Sequence, residues 1–213
     1  TAWGLAPKMV AERAALYVAD PINLTASFTY PATSLVSYLF QRVPGQFYEW
    51  QCLAGLDILF LACIAPAAAM PRKNWAGAVL VFAAGFLLPF FFSVVPAGTP
   101  STIYANAMAD TPLALLFGGT LCLYAAAGGR KTGFFACAMP LAVLTMTKDI
   151  GFAYALIVTF LIGLDQLFCT PHPDTKPARI FGVSLAKCSI LAAVVLAVFI
   201  SWNRYTAAVT PTE

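Results

Sequence analysis

Charge is what this sequence has least of. Asp, Glu, Lys and Arg make up 10% of its 213 residues, where soluble domains carry roughly 25%. A chain of this length can bury a core, but it cannot clothe an aqueous surface with so little charge, which excludes a soluble globular protein. Histidine is nearly missing, since His172 is the only one. With no HExxH, no CxxC and no cysteine–histidine cluster, the sequence speaks against a zinc site and against a disulfide framework. A P-loop, a GxSxG elbow and a dinucleotide fingerprint are also absent, which closes the soluble-enzyme readings. The net charge of +3 is too small for a nucleic-acid partner. The six cysteines, Cys52, Cys63, Cys122, Cys137, Cys169 and Cys188, lie mostly within apolar runs and read as small hydrophobes.

What the chain has instead is apolar length. Hydrophobic residues make up 61% of it, and the mean hydropathy is +0.81. A bilayer is crossed by roughly 20 mostly apolar residues in a helix, and backbone groups in lipid must be satisfied within the segment, which selects helices over strands. Runs at 50–70, 75–95, 112–127, 133–147, 150–168 and 180–202 meet that description. The third and fourth are short and extend into their flanks or form a re-entrant pair. The expected fold is all-α: a polytopic transmembrane helix bundle of about six spans with an N-terminal extracytoplasmic, interfacial helical segment. The bundle covers 50–205, the segment covers 1–49, and 206–213 form an extracytoplasmic tail.

Orientation follows from the basic residues in short loops. Arg72-Lys73, Arg130-Lys131, and Lys176 with Arg179 fall in alternate loops, while 96–110 contains neither Lys nor Arg. The first set then faces the cytoplasm. Residues 1–49, the 96–111 loop, the Lys148-Asp149 turn and the tail face outward. The chain is expected to be a multi-pass protein of the cytoplasmic (plasma) membrane with its active side extracytoplasmic. The absent initiator Met before Thr1, and the apolar run that ends just before Glu213, read as cuts in a longer protein.

In the outer segment, residues 3–19 read as a helix with Lys8 and Glu12 paired four apart. A second helix starts at Pro31, carries Ser34, Ser37 and Gln41 on one stripe, and stops at Pro44-Gly45. These helices lie in the interfacial plane or pack on the bundle. Asn23-Leu24-Thr25 is a glycosylation sequon.

Ionisable residues inside spans are costly and are functional candidates. Asp57 faces an outer cavity or pairs with Lys148. Asp165 and Lys187, at similar depth, form an ion pair or reach the interface. The outward face collects Tyr30, Arg42, Glu49, Tyr104, Asn106, Asp110, Lys148 and Asp149. A lysine pinned in so tight a turn can bind a phosphate as a point charge, or merely be solvated there. Asp110, just ahead of Thr111-Pro112, also suits a helix N-terminus.

Four stretches, in order, resemble bacterial GT-C-type membrane glycosyltransferases. Tyr30-Pro31 through Gln41, with Gly45-Gln46-Phe47-Tyr48-Glu49, is similar to the family's Tyr-Pro-Pro-Gly run and the helix that follows it. Thr102-Ile103-Tyr104 through Asp110, then Pro112 to Gly118, is similar to its Thr-Ile-Tyr…Asp…Phe-Gly pattern. Leu144 to Phe152 matches Leu-x-x-x-Lys-Asp/Glu-Ile-Gly, and Trp202-Asn203-Arg204-Tyr205 matches Trp-x-x-Tyr. Tyr30-Pro31-Ala32-Thr33 departs in lacking the second proline and the glycine.

The resemblance implies a transferase that moves a sugar from a polyprenyl-phosphate donor to a glycan or protein acceptor outside the membrane. It implies donor-phosphate contacts from Lys148, Arg42 and Tyr30, and sugar or acceptor contacts from Glu49, Tyr104 and Asp149. Asp110 is the candidate catalytic residue within the chain. The family's base precedes a Trp-Gly or Trp-Ala, so beside Trp3-Gly4 it would lie upstream of Thr1. No metal site is legible, though the resemblance leaves room for a divalent ion. Two other readings stand beside it: a transporter or flippase fragment, and a non-catalytic membrane subunit.

Overall fold

The computed structural model describes residues 7–10, 16, 30–42, 46–70, 74–91, 109–128, 131–169 and 177–209. Among them there are eight helices and no strand. They are α1 (Ala32–Gln41), α2 (Glu49–Ala68), α3 (Trp75–Phe91), α4 (Asp110–Ala127), α5 (Lys131–Ala136), α6 (Ala138–Thr145), α7 (Gly151–Phe168) and α8 (Pro177–Val209). Pro7–Val10 is a further helical fragment with Met9 and Val10 buried. The proposed Lys8–Glu12 pair, the sequon, Pro44-Gly45 and the stretch 101–108 lie outside the described residues.

Local chemistry explains the boundaries. Asn74 accepts the Gly77 N–H at 3.1 Å and so caps α3. Gly128 ends α4 in the left-handed region, at φ 59°, a conformation glycine adopts without the usual Cβ penalty. The run expected as one helix over 133–147 is broken into α5 and α6 at Cys137. Pro140 lacks the N–H that would bond the carbonyl of residue 136, so the ladder lapses there. The Cys137 N–H bonds Phe134 O, three residues back, and the helix restarts with Leu141 N–H on Cys137 O.

Four segments are long and apolar enough to cross a membrane: Glu49–Ala68, Asp110–Ala127, Gly151–Phe168 and Arg179–Ala208. Trp75–Leu87 and Gly133–Thr145 are shorter apolar helices. The outer surface of the bundle is apolar, with Phe160, Phe168, Leu80 and Trp75 all more than 60% exposed. So much bare hydrocarbon is untenable in water, so the surroundings of these helices are a lipid bilayer.

Packing is close where side chains are small. Gly119 of α4 lies so near α2 that an added Cβ would stand 2.8 Å from Cys63 O. Gly163 of α7 meets Cys188 of α8, and Phe152 stacks on Phe199 at 4.2 Å. These two contacts fix α7 and α8 as antiparallel. Leu113, Leu141, Leu144, Val158, Ile162 and Leu191 form the centre of the core. The hydroxyls of Thr120, Thr145 and Thr159 are buried and donate to carbonyls four residues back, at 2.5, 2.8 and 2.9 Å. None of these three hydroxyl hydrogens is left facing hydrocarbon.

The first helix is turned opposite to a surface helix of a soluble protein. Its polar stripe faces inward: Ser34, Ser37 and Gln41 are buried. Gln41 clasps the Tyr48 backbone, accepting its N–H at 2.8 Å and donating to its carbonyl at 2.6 Å. Leu39 points outward at 66% exposure. Of the two arrangements expected, α1 packs on the bundle, against α2, while showing an apolar flank to its surroundings.

Of the alternatives expected for the intramembrane charges, the two ion pairs do not form among the described residues. Lys148 pairs with Asp110 and not with Asp57; one Asp57 carboxylate oxygen is buried without a hydrogen bond. Lys187 donates to Gln166 at 3.1 Å rather than pairing with Asp165. Asp165 accepts the Tyr124 hydroxyl at 2.7 Å.

Candidate functional site

The turn between α6 and α7 is short, covering only 146–150. Thr147 N–H bonds Leu144 O, and Gly151 N–H bonds Lys148 O at 2.9 Å. A Cβ on Gly151 would stand 2.1 Å from Leu144 O, so only glycine permits this crossing. The turn is tied to the start of α1, where Ala32 N–H donates to Met146 O at 2.9 Å. The short connection fixes where Lys148 and Asp149 emerge.

Lys148 Nζ lies 2.5 Å from Asp110 Oδ1, with the side chains 33% and 65% exposed. Asp110 opens α4 and Asp149 lies just before the Ile150 N-cap of α7, so both carboxylates are favoured by helix dipoles. One oxygen of Asp149 accepts the Ile150 N–H at 2.9 Å. An ion pair this exposed contributes about 0–1 kcal/mol, so Lys148 can exchange Asp110 for another anion at small cost.

Tyr30 belongs to the same end. Burial, and secondarily the charge of Asp149, push its phenol above the ordinary 10.0. Its ring lies 6.2 Å from that of Trp202, which stacks on Tyr205 at 5.6 Å. The Tyr205 hydroxyl donates to Leu16 O at 3.1 Å. Aromatic wall, cation and two carboxylates thus meet at one end of the bundle. Chemically, this group can hold an anion on the ammonium, accept hydrogen bonds from hydroxyls, and offer ring surface to an apolar face.

The candidate residues do not all gather there. Arg42 ends α1, with a guanidinium N–H donating to the Tyr38 hydroxyl at 3.1 Å. The ten residues of α1 hold it ~15 Å along the helix from Tyr30. Glu49, at the start of α2, sits exposed beside the Gln41–Tyr48 clasp. Tyr104 and Asn106 fall outside the described residues. Trp202 and Tyr205 were absent from the candidate site, although their own motif signalled them. Among the described residues, no three His, Cys, Asp or Glu side chains converge in a way that could hold a metal ion. No protein family, no curated protein and no solved structure matches the chain.

Proposed function

We propose that the chain is a membrane glycosyltransferase that moves a sugar from a polyprenyl-phosphate donor to a glycan or protein acceptor. In this reading the Lys148 end faces outward from a plasma membrane. One observation carries it. Of the four stretches that resemble GT-C enzymes, the described portions contribute Tyr30, Asp110, Lys148-Asp149 and Trp202-Tyr205 to a single end of the bundle.

The chemistry assigned to the group is an inverting displacement. The acceptor oxygen attacks the anomeric carbon, the bond from that carbon to the phosphate oxygen breaks, and the electron pair leaves with the phosphate. A carboxylate takes the acceptor proton. Lys148 meets the charge developing on the phosphate, and Asp110 keeps the ammonium oriented until the donor arrives. Asp149 and the rings of Tyr30 and Tyr205 border the sugar. Arg42 stands apart from the phosphate position.

The test is transfer of labelled sugar from a polyprenyl-phosphate donor by the full-length protein in vesicles. Lys148→Ala is expected to lower kcat by roughly 100- to 1,000-fold, the usual effect of removing a group that stabilises developing charge, while Lys148→Arg retains part of it. A folded Lys148→Ala protein with wild-type turnover would end the proposal.

A further inference from the structure

The opposite end of the bundle carries a second arrangement of charge, built around Lys187. The pairing of Gly163 with Cys188 sets the register of α7 against α8. In that register the Lys187 side chain leans toward the end of α7 to reach Gln166 Oε1 at 3.1 Å. Gln166 is two residues from Phe168, where α7 ends, about 3 Å along the axis. The ammonium also lies 5.6 Å from the centre of the Phe134 ring. Gln166 and Phe134 are 3% and 1% exposed, so both are fixed parts of the packed wall.

Both of these partners are neutral. No carboxylate among the described residues lies within the 4.0 Å of an ion pair with Lys187. A lysine at the rim of the hydrocarbon with only neutral partners extends toward an external anion. A second cation is near. Arg179 lies two turns earlier on α8, exposed and without an ion-pair partner among the described residues. Between the two, Gly182, Val183 and Ala186 are exposed, and a Cβ on Gly182 would meet nothing within 4 Å. Phe135 of α5, whose ring lies 5.5 Å from that of Phe134, is 55% exposed. Two positive charges with no ion-pair partner among the described residues thus flank an open, small-residue stretch of exposed surface.

The geometry points to a binding site for an anionic phospholipid, with its phosphate held between Lys187 and Arg179 and its chains lying over Val183 and Phe135. Charge complementarity decides the occupant. A headgroup of net negative charge balances the two cations, whereas a zwitterionic headgroup brings an ammonium of its own. Each basic residue near the headgroups strengthens such binding about fivefold.

Native mass spectrometry of the full chain in detergent, paired with thermal unfolding, tests this with three probes: phosphatidylglycerol, phosphatidylcholine and inorganic phosphate. Phosphatidylglycerol is expected to stay bound and to raise the melting temperature. The other two should bind at least fivefold more weakly. Lys187→Met should weaken phosphatidylglycerol about fivefold and Lys187→Arg should restore it. Arg179→Gln, on the exposed surface, gives the same readout without touching the packed wall. Arg204→Gln, at the other end, should have no effect. The site is overturned if Lys187→Met and Arg179→Gln both bind phosphatidylglycerol as the wild type does. It is overturned equally if phosphatidylcholine binds as well, which marks ordinary belt lipid, or if inorganic phosphate binds as well, which marks a free-anion site.

Discussion

The sharpest consequence of this packing concerns two glycines that look alike in the sequence. Gly151 and Gly118 both lie in apolar helices, and Ala is the better helix former by about 1 kcal/mol. On propensity alone both Gly→Ala substitutions stabilise. The structure separates them. At Gly118 an added Cβ meets nothing within 4 Å, whereas at Gly151 it stands 2.1 Å from Leu144 O. Reaching the 3.4 Å of ordinary contact requires a shift of about 1.3 Å, and the obstacle is backbone at the end of α6, not a yielding side chain. Overpacking of this kind costs about 1–3 kcal/mol. For a chain of this size each kcal/mol moves the melting temperature by ~2–4 °C, so Gly151→Ala should melt ~2–12 °C lower. Gly118→Ala should melt at or above the wild type. Thermal unfolding followed by circular dichroism in one detergent measures both. Equal melting temperatures for the two variants would refute the tight crossing of α6 and α7, and with it the rigid placement of Lys148.

Two further outcomes follow from named contacts. Tyr30 should ionise at higher pH than an exposed tyrosine, chiefly through burial, and Asp149→Asn should remove only the smaller part of that rise, as read by the ultraviolet difference spectrum against Tyr30→Phe. Because its folded-state value is raised above the ordinary 10.0, the stability it lends is complete below pH 10 and is lost as pH rises through that higher value. Tyr124→Phe removes the donor to Asp165 and should lower stability by about 0.5–1.5 kcal/mol, the usual net contribution of one hydrogen bond; an unchanged unfolding midpoint would contradict that bond.

The long apolar runs were legible because lipid imposes a single requirement, sustained hydrophobicity, and α2, α4 and α7 begin and end within a few residues of expectation. The break at Cys137 was not, because Pro140 acts one turn upstream of where it stands, and prolines at Pro66 and Pro89 do not split their helices. The sixth run was read as ending at 202, yet α8 continues to Val209. Its last two turns are held by tertiary contacts of Trp202 and Tyr205, not by hydropathy. The stripe of Ser34, Ser37 and Gln41 was visible as a pattern, but its direction was not. A periodicity states which residues share a face, and only the solvent decides whether that face turns in. At the candidate site, the Lys148-Asp149 turn and the motif order pointed to one end of the bundle. The separation of Arg42 follows from the course of α1, which spacing in the sequence does not encode.

The link between Tyr205 and Leu16 joins residues 189 positions apart, and Tyr30 leans on Trp202 across a similar span. A ribosome delivers these partners at very different times. At about 5–20 residues per second, Trp202 follows Tyr30 by roughly 10–30 seconds. During that interval the early segment has no aromatic wall to close against, while α2, α4 and α7 can already insert and pair. The group at the Lys148 end is therefore completed only after α8 has been made, so a chain that stalls before its eighth helix can enter the bilayer yet never assemble that end.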